Sequence, residues 1–150
     1  MSKTPIRNNL VIELHVPDFE VAKRFYSLLG FKIILEHPVS NGEPGYLVLK
    51  RQDELGDTMI NFYGGNEKVY NQSYFKNFPR TTKRGYATEI TIPVANVDIF
   101  YEQVARKIKG HIKQELMNKK DKEMVWRDFR VEDPFGFYLR FTELIDWGQT

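Results

Sequence analysis

The sequence predicts an α+β fold in which a βαβββ module occurs twice, the strands forming one curved mixed sheet with the helices on its outer face. The first observation is that the same order of predicted elements appears in residues 8–63 and again in residues 86–144. The second is the spacing, because the predicted helix caps Asp18 and Asn96 are 78 residues apart. Two such modules are expected to share one core and to leave one concave face open, as a single domain of 150 residues.

The first module begins with an alternating strand over residues 8–16, in which every second residue is apolar. A helix is predicted next, since Asp18 is a good N-cap, apolar residues recur at helical spacing and Gly30 ends the pattern. Three strands, "FKIILEH", "YLVLKR" and "DTMINFY", complete the module. Residues 64–85 have no sustained period, so we expect a long connection that contains one short helical turn.

The second module repeats this order. The strand "ATEITIPV" precedes a helix capped by Asn96 and ended by Gly110, and the strands "HIKQEL", "EMVWRDFRVE" and "FYLRFTEL" follow. Val11 and Glu89 hold matched places in the two opening strands, again 78 residues apart. Asn61 and Arg140, in the two closing strands, are 79 residues apart. The repeat therefore keeps its register to within one residue.

Composition excludes several classes of site. The chain has no cysteine, which rules out disulfides, thiolate catalysis and cysteine-bound zinc, and which fits a cytoplasmic protein. The N-terminal residues contain no apolar core of signal-peptide length, and no segment approaches the ~20 apolar residues of a membrane span. The net charge is only +2 and acidic residues interrupt the lysines, so we expect neither a nucleic-acid nor a membrane partner.

The stretches "HVPDFEVAKRFYSLLGFKI" and "WRDFRVEDPFGFYLRF" resemble the vicinal oxygen chelate superfamily, which includes the glyoxalase/bleomycin-resistance proteins. In that superfamily a divalent metal in the concave sheet is held by His, Gln or Glu at four positions. The resemblance places these positions at Val11, Asn61, Glu89 and Arg140. Val11 cannot bind a metal, and Arg140 is a permanent cation that would repel one. We therefore expect no metal and no other cofactor.

Loss of the metal argues against glyoxalase and dioxygenase chemistry, which needs a Lewis acid. The resemblance then points to the metal-free branch, the bleomycin-resistance proteins, which sequester a drug at a dimer interface without chemistry. It implies a homodimer that binds an aromatic or charged small molecule in its concave cleft. Bleomycin-type drugs are cationic, so the net charge of +2 does not favour that particular ligand.

Strand alternation identifies the side chains that face away from the helices. They combine aromatic rings, which stack on flat groups, with charges of both signs, which orient polar groups. We expect Glu89 and Arg140 to form an ion pair in place of the metal. The predicted ligand contacts are Glu13, Asn61, Tyr63, Glu89, Trp126, Asp128, Tyr138 and Arg140.

Four alternatives remain open from the sequence. Glu13, His15 and Glu89 are a conceivable atypical metal site. A lyase or dioxygenase-like enzyme would use one of the carboxylates as a base, with Arg130 or Arg140 stabilising an oxyanion. The charged face is also compatible with a solvated sheet surface without function. Finally, the chain is compatible with a structural or regulatory dimer with a vestigial cleft and "NQSYFKNFP" as a partner surface.

Overall fold

The structure, a computed structural model, describes the backbone of residues 10–146 and the side chains of residues 10–143. The order of elements confirms the predicted α+β fold with two βαβββ modules. The first module consists of β1 (Glu13–Val16), α1 (Phe19–Leu28), β2 (Lys32–His37), β3 (Gly45–Arg51) and β4 (Thr58–Gly64). The second consists of β5 (Glu89–Pro93), α2 (Val97–Val104), β6 (Ile112–Asp121), β7 (Met124–Glu132) and β8 (Tyr138–Asp146).

Each module forms its own four-stranded mixed sheet, with strand orders β1-β4-β3-β2 and β5-β8-β7-β6. No backbone ladder in the described chain joins the two sheets, so the strands do not form the single continuous sheet that the sequence suggested. In each module the opening strand pairs in parallel with the closing strand of the same module and becomes an outer strand of that sheet.

The strand register confirms the duplication. Glu13 lies opposite Asn61 in the β1–β4 pair, and Thr91 lies opposite Arg140 in the β5–β8 pair. These pairs are related by the same 78- and 79-residue shifts that the sequence displays. Both helices also start as predicted, because the side chains of Asp18 and Asn96 accept hydrogen bonds from backbone N–H groups three residues later, at 3.1 and 3.0 Å.

The helix-covered sides of both sheets share one apolar cluster. Two contacts connect the modules in a related way, since each helix meets the residues at the end of the other module's third strand. The Tyr26 hydroxyl of α1 donates to the Asp133 carboxylate at 2.7 Å, and the guanidinium of Arg51 lies 4.3 Å from the ring centroid of Phe100 in α2. Each contact joins the helix of one module to the other module.

Three local predictions differ from the structure. The connection contains two short 3-10 helices, Glu67–Asn71 and Phe75–Asn77, rather than one helical turn. The second helix ends at Val104, well before Gly110, and β1 begins only at Glu13. Within residues 10–146, neither α-helix combines the length and hydrophobicity needed to cross a membrane.

Candidate functional site

A buried carboxylate lies on the side of the second sheet that faces away from the helices. We call this side of each sheet its outward side. Asp128 has no exposed surface, and it accepts hydrogen bonds from Arg140 Nε at 2.8 Å and from Gln114 Nε2 at 2.6 Å. A nitrogen of the Arg130 guanidinium lies 3.5 Å from the same carboxylate. A buried carboxylate requires such partners, because leaving it unpaired costs several kcal/mol. We call Gln114, Trp126, Asp128, Arg130 and Arg140 the Asp128 cluster.

The pairing of β7 with β8 produces this cluster. Arg130 lies directly opposite Arg140, which places Asp128 at a diagonal position from Arg140, within reach of its long side chain. The Arg140 guanidinium also lies 5.4 Å from the ring centroid of Trp126. Arg140 therefore bridges a carboxylate and an indole, which combines an ion pair with a cation–π contact.

The predicted ion pair between Glu89 and Arg140 is wrong. Glu89 instead binds Arg130, with an oxygen–nitrogen distance of 2.8 Å. The cause is the β5–β8 register, because Glu89 lies opposite Tyr138 and not opposite Arg140. Burial opposes the charged form of Arg130, but Tyr138 and the two carboxylates outweigh it and raise the pKa of this guanidinium.

The outward side of the first sheet carries a different set of contacts. The Tyr46 hydroxyl donates to Glu13 Oε1 at 2.7 Å and accepts from Asn61 Nδ2 at 2.9 Å. Burial and the Glu13 carboxylate raise the pKa of the Tyr46 phenol, which keeps it protonated as a donor. His15 Nε2 lies 3.1 Å from Glu13 Oε2, and its ring centroid lies 4.8 Å from that of Tyr63.

The eight predicted contacts divide between the two sheets. Glu13, Asn61 and Tyr63 lie on the first sheet, and the other five lie on the second. Among the described side chains, no hydrogen bond, ion pair or ring contact connects Glu13, Asn61 or Tyr63 to the Asp128 cluster. An open groove of about 380 Å³ on the second module includes Glu89 and Tyr138 among its lining residues.

Sequence reasoning missed Tyr46, Gln114 and Lys119. Tyr46 was within reach, because the alternation of β3 places it on the same side as Val48, which lies opposite Asn61. Gln114 was harder to assign, because the β6–β7 pairing shifts register on both sides of it and interrupts the alternation. Lys119 Nζ lies close to the amide oxygen of Gln114 and 4.0 Å from Asp128, so it extends the Asp128 cluster.

The donor set does not fit a divalent metal. Of the four positions that hold the metal in the resembled superfamily, Arg140 carries a permanent positive charge and Glu89 is bound to Arg130. The atypical site of Glu13, His15 and Glu89 does not assemble either. Across residues 10–143, no three His, Asp or Glu side chains come together in a metal-binding arrangement.

Three polar atoms on the outward side of the second sheet have no hydrogen-bond partner within the described chain. They are Trp126 Nε1, Arg130 Nε and the hydroxyl of Thr142, and all three are buried. His15 Nδ1 on β1 is a fourth such atom. Buried polar atoms usually have a partner, so these unpaired ones require an explanation. A ligand with hydrogen-bond acceptor atoms is one chemically suitable partner for the indole and guanidinium N–H groups.

No protein-family model and no curated protein matches the sequence. Solved structures match the fold over nearly the whole chain. TioX from Micromonospora sp. ML1 is 22% identical with a TM-score of 0.56, and the match covers 95% of this chain and 98% of TioX. A bleomycin-binding protein complexed with bleomycin is 18% identical with a TM-score of 0.54, covering 91% of this chain and 98% of that one.

A glyoxalase/bleomycin resistance protein/dioxygenase from Alicyclobacillus acidocaldarius is 21% identical with a TM-score of 0.56. That match covers 94% of this chain and 96% of the other. The chain therefore has the fold of the glyoxalase/bleomycin resistance protein/dioxygenase superfamily, as the two sequence stretches indicated.

Proposed function

We propose that the protein is a homodimer that binds a small molecule without a metal ion, and that the ligand contacts the outward side of the second sheet. The observation that carries this proposal is the Asp128 cluster. One of its members, Arg140, stands at a position where the resemblance predicts a metal ligand, and Arg130 and the Trp126 indole lie beside it on the same sheet. The fold supports small-molecule binding as the general activity, because one protein that shares it was solved in complex with bleomycin.

The chemistry of the cluster indicates the kind of ligand. Trp126 offers an aromatic surface beside the Arg140 guanidinium, which suits a planar group. The unpaired N–H groups of Trp126 and Arg130 suit acceptor atoms on that group. We expect a planar ligand with oxygen or nitrogen acceptors.

Binding is favoured over catalysis because the carboxylates considered as bases are already engaged. Asp128 accepts from Gln114 and Arg140, and Glu89 is paired with Arg130. Glu13 accepts from the Tyr46 hydroxyl at 2.7 Å. A general base requires a free lone pair directed at the substrate proton. Carboxylates held by arginines do not favour that role.

Two features would favour association with a second copy of the chain: an exposed apolar sheet edge and the open sheet faces. Ile33, Ile34 and Leu35 of the outer strand β2 are 51%, 47% and 43% exposed, which is a continuous aliphatic run on a sheet edge. Soluble proteins usually protect such edges with charge or a covering element. Partner coverage of this edge would remove apolar surface from water, and a dimer would also enclose the open sheet faces.

Ligand binding is tested with the purified full chain. The Trp147→Phe variant leaves Trp126 as the only tryptophan, so quenching of its fluorescence reports ligands that reach the Asp128 cluster. A panel of planar acceptor-rich compounds, with bleomycin as one member, is screened by fluorescence and by melting temperature. We expect hits whose affinity is unchanged by EDTA and strongly reduced in Arg140→Met. Stoichiometric zinc, nickel or iron in the purified protein, or loss of binding on chelation, would overturn the metal-independent proposal.

The dimer is tested by light scattering after size-exclusion chromatography. We expect twice the 17.7 kDa chain mass for the unmodified protein and a monomer for Ile34→Glu. Ile99→Glu is the matched control, because Ile99 is similarly exposed at 54% but lies on α2. A monomeric unmodified protein contradicts the dimer, and an Ile34→Glu variant that remains dimeric would place the interface elsewhere than β2.

A further inference from the structure

A second concave region lies away from the Asp128 cluster. It is a groove of about 440 Å³ lined by β1, by the connection of residues 64–85 and by Tyr86, Thr88 and Phe137 of the second module. No residue of the Asp128 cluster lines it, and among the predicted contacts only Glu13 does. Its volume falls within the range typical of small-molecule pockets.

The lining of this groove is positively charged. Arg80, Lys83 and Arg84 contribute three cations, and Glu13 is the single acidic residue among the lining side chains. Arg80 is paired with Glu67 at 3.5 Å and Lys83 with Glu132 at 2.8 Å, so Arg84 is the cation of this lining that has no carboxylate partner among the described residues. Glu13 is itself engaged by the Tyr46 hydroxyl and lies beside His15. The groove therefore favours a negatively charged occupant over a positively charged one.

Arg84 differs from the other partly buried arginines. Arg51, Arg127, Arg130 and Arg140 each form an ion pair with a carboxylate. Arg84 forms none within the described residues. Its guanidinium donates to the backbone carbonyl of His15 and lies beside Tyr70, 5.0 Å from the ring centroid. A half-buried guanidinium without a counter-charge is a natural anchor for an anion. Burial also lowers the pKa of Arg84, the direction expected for a cation that lacks a carboxylate partner.

Another part of the lining is aromatic, and the described residues leave it partly exposed. Tyr74, Phe75 and Phe78 are 62%, 41% and 49% exposed, although the ring of Tyr74 contacts both of the other two. Phe75 begins the second 3-10 helix of the connection, and Tyr74 and Phe78 flank that helix. Exposed aromatic rings of this kind have apolar faces available for stacking on a flat group. The ring of Phe75 lies 5.2 Å from that of His15, so the aromatic wall reaches the β1 side of the groove.

We propose that this groove is a second small-molecule site, and that it binds an aromatic carboxylate whose ring packs on Phe75 and Phe78 and whose carboxylate binds Arg84. The inference does not rest on the function proposed for the Asp128 cluster, because the two sites share no residue. An aromatic anion satisfies both features of the groove at once, which neither an aliphatic acid nor an aromatic cation does.

The test uses 1-naphthoate as the probe on the full chain, with 1-naphthylmethylamine as the oppositely charged match and acetate as the carboxylate without a ring. Isothermal titration calorimetry is expected to detect 1-naphthoate and to find the other two at least about tenfold weaker. Arg84→Met keeps much of the side-chain length and is expected to weaken 1-naphthoate about tenfold or more. Arg24→Met, which removes an exposed arginine on α1, is expected to change nothing.

Two further measurements keep the proposal falsifiable if Arg84→Met fails to fold. Phe75→Ala is expected to weaken 1-naphthoate roughly fivefold through loss of ring contact. Nuclear Overhauser contacts between the probe and the ring protons of Phe75 are expected, with none to the Trp126 indole. Equal affinity for the amine, no effect of Arg84→Met and Phe75→Ala, or contacts to Trp126 alone would each overturn the proposal, and the last would move the probe to the Asp128 cluster.

Discussion

The outward sides of the two sheets have the same backbone plan and different chemistry. On the first sheet, the closing-strand residue Asn61 is held by the hydroxyl of Tyr46, which also binds Glu13. On the second sheet, the matched residue Arg140 is held by the fully buried carboxylate of Asp128. One centre thus depends on hydrogen bonds in a partly exposed environment, and the other depends on charge.

The helix-covered sides of the same strands did not diverge in this way. Phe62 and Phe141, one residue beyond Asn61 and Arg140, are both fully buried in the shared apolar cluster. Successive strand residues point to opposite faces, so the outward side can change while the packed side is kept. The two modules are therefore alike where side chains pack in the shared core, and they differ in chemistry on the side where packing does not constrain the residue type.

The largest expected effect contrasts the two matched positions. Arg140→Met removes the closest charged partner of buried Asp128 and is expected to lower the free energy of unfolding by about 3 kcal/mol or more. Asn61→Ala removes one hydrogen bond to Tyr46 and is expected to cost only about 1 kcal/mol. Urea unfolding followed by circular dichroism measures both. Similar losses in the two variants would break the contrast between a charged and an uncharged centre.

The next largest effect is the loss of stability when a tyrosine hydroxyl is removed from each of the two helices. Tyr26→Phe leaves one oxygen of the buried Asp133 carboxylate without its 2.7 Å partner and is expected to cost about 1–3 kcal/mol. Tyr101→Phe on α2 is the matched control, because Tyr101 packs its ring on Phe129 at 4.9 Å between centroids and its hydroxyl has no comparable partner among the described residues. Thermal unfolding of both variants checks the difference. A control as destabilised as Tyr26→Phe would mean that the hydroxyl bond to Asp133 is not the cause.

A smaller effect concerns pH. Burial raises the pKa of Asp133 above its usual value of 3.8, and the Tyr26 hydrogen bond opposes that rise. The protonated carboxyl is therefore favoured in the folded state, so this residue's contribution to stability declines as pH rises through the window above 3.8. Tyr26→Phe raises this pKa further, which favours the protonated folded state.

The cost of Tyr26→Phe is consequently expected to be smaller at about pH 4 than at pH 7. Unfolding free energies of the unmodified and variant proteins at both pH values provide the measurement, and Tyr101→Phe should give no such trend. A cost that is larger in acid would have the opposite sign and would exclude this linkage.

The smallest expected effect concerns metals. Because Arg140 and Arg130 place positive charge where a divalent ion would bind, one equivalent of Zn²⁺ or Ni²⁺ is expected to change the melting temperature by no more than about 1 °C. A rise of several degrees that EDTA reverses would show that the second sheet holds a metal despite its arginines. The measurement requires only the unmodified protein with and without chelator.

Much of the architecture could be predicted from local chemistry. Asp18 and Asn96 cap the two helices as their residue types indicate, and Gly30 has the positive φ of 89° that ends the first helix. Alternation also placed Asp128 and Arg140 correctly on the outward side. It did not give their pairing, because a diagonal contact depends on which residues of β7 and β8 lie opposite each other.

The sequence by itself determined the two modules, their helices and the face on which each strand residue lies, because caps and periodicity act over a few neighbouring residues. Tertiary structure alone decided that Arg140 binds Asp128 while Glu89 binds Arg130, since strand register brings distant residues together. It also decided that Arg84 and the aromatic residues of an aperiodic connection meet β1 in a groove. Such contacts depend on how the chain returns to itself, which no local pattern encodes.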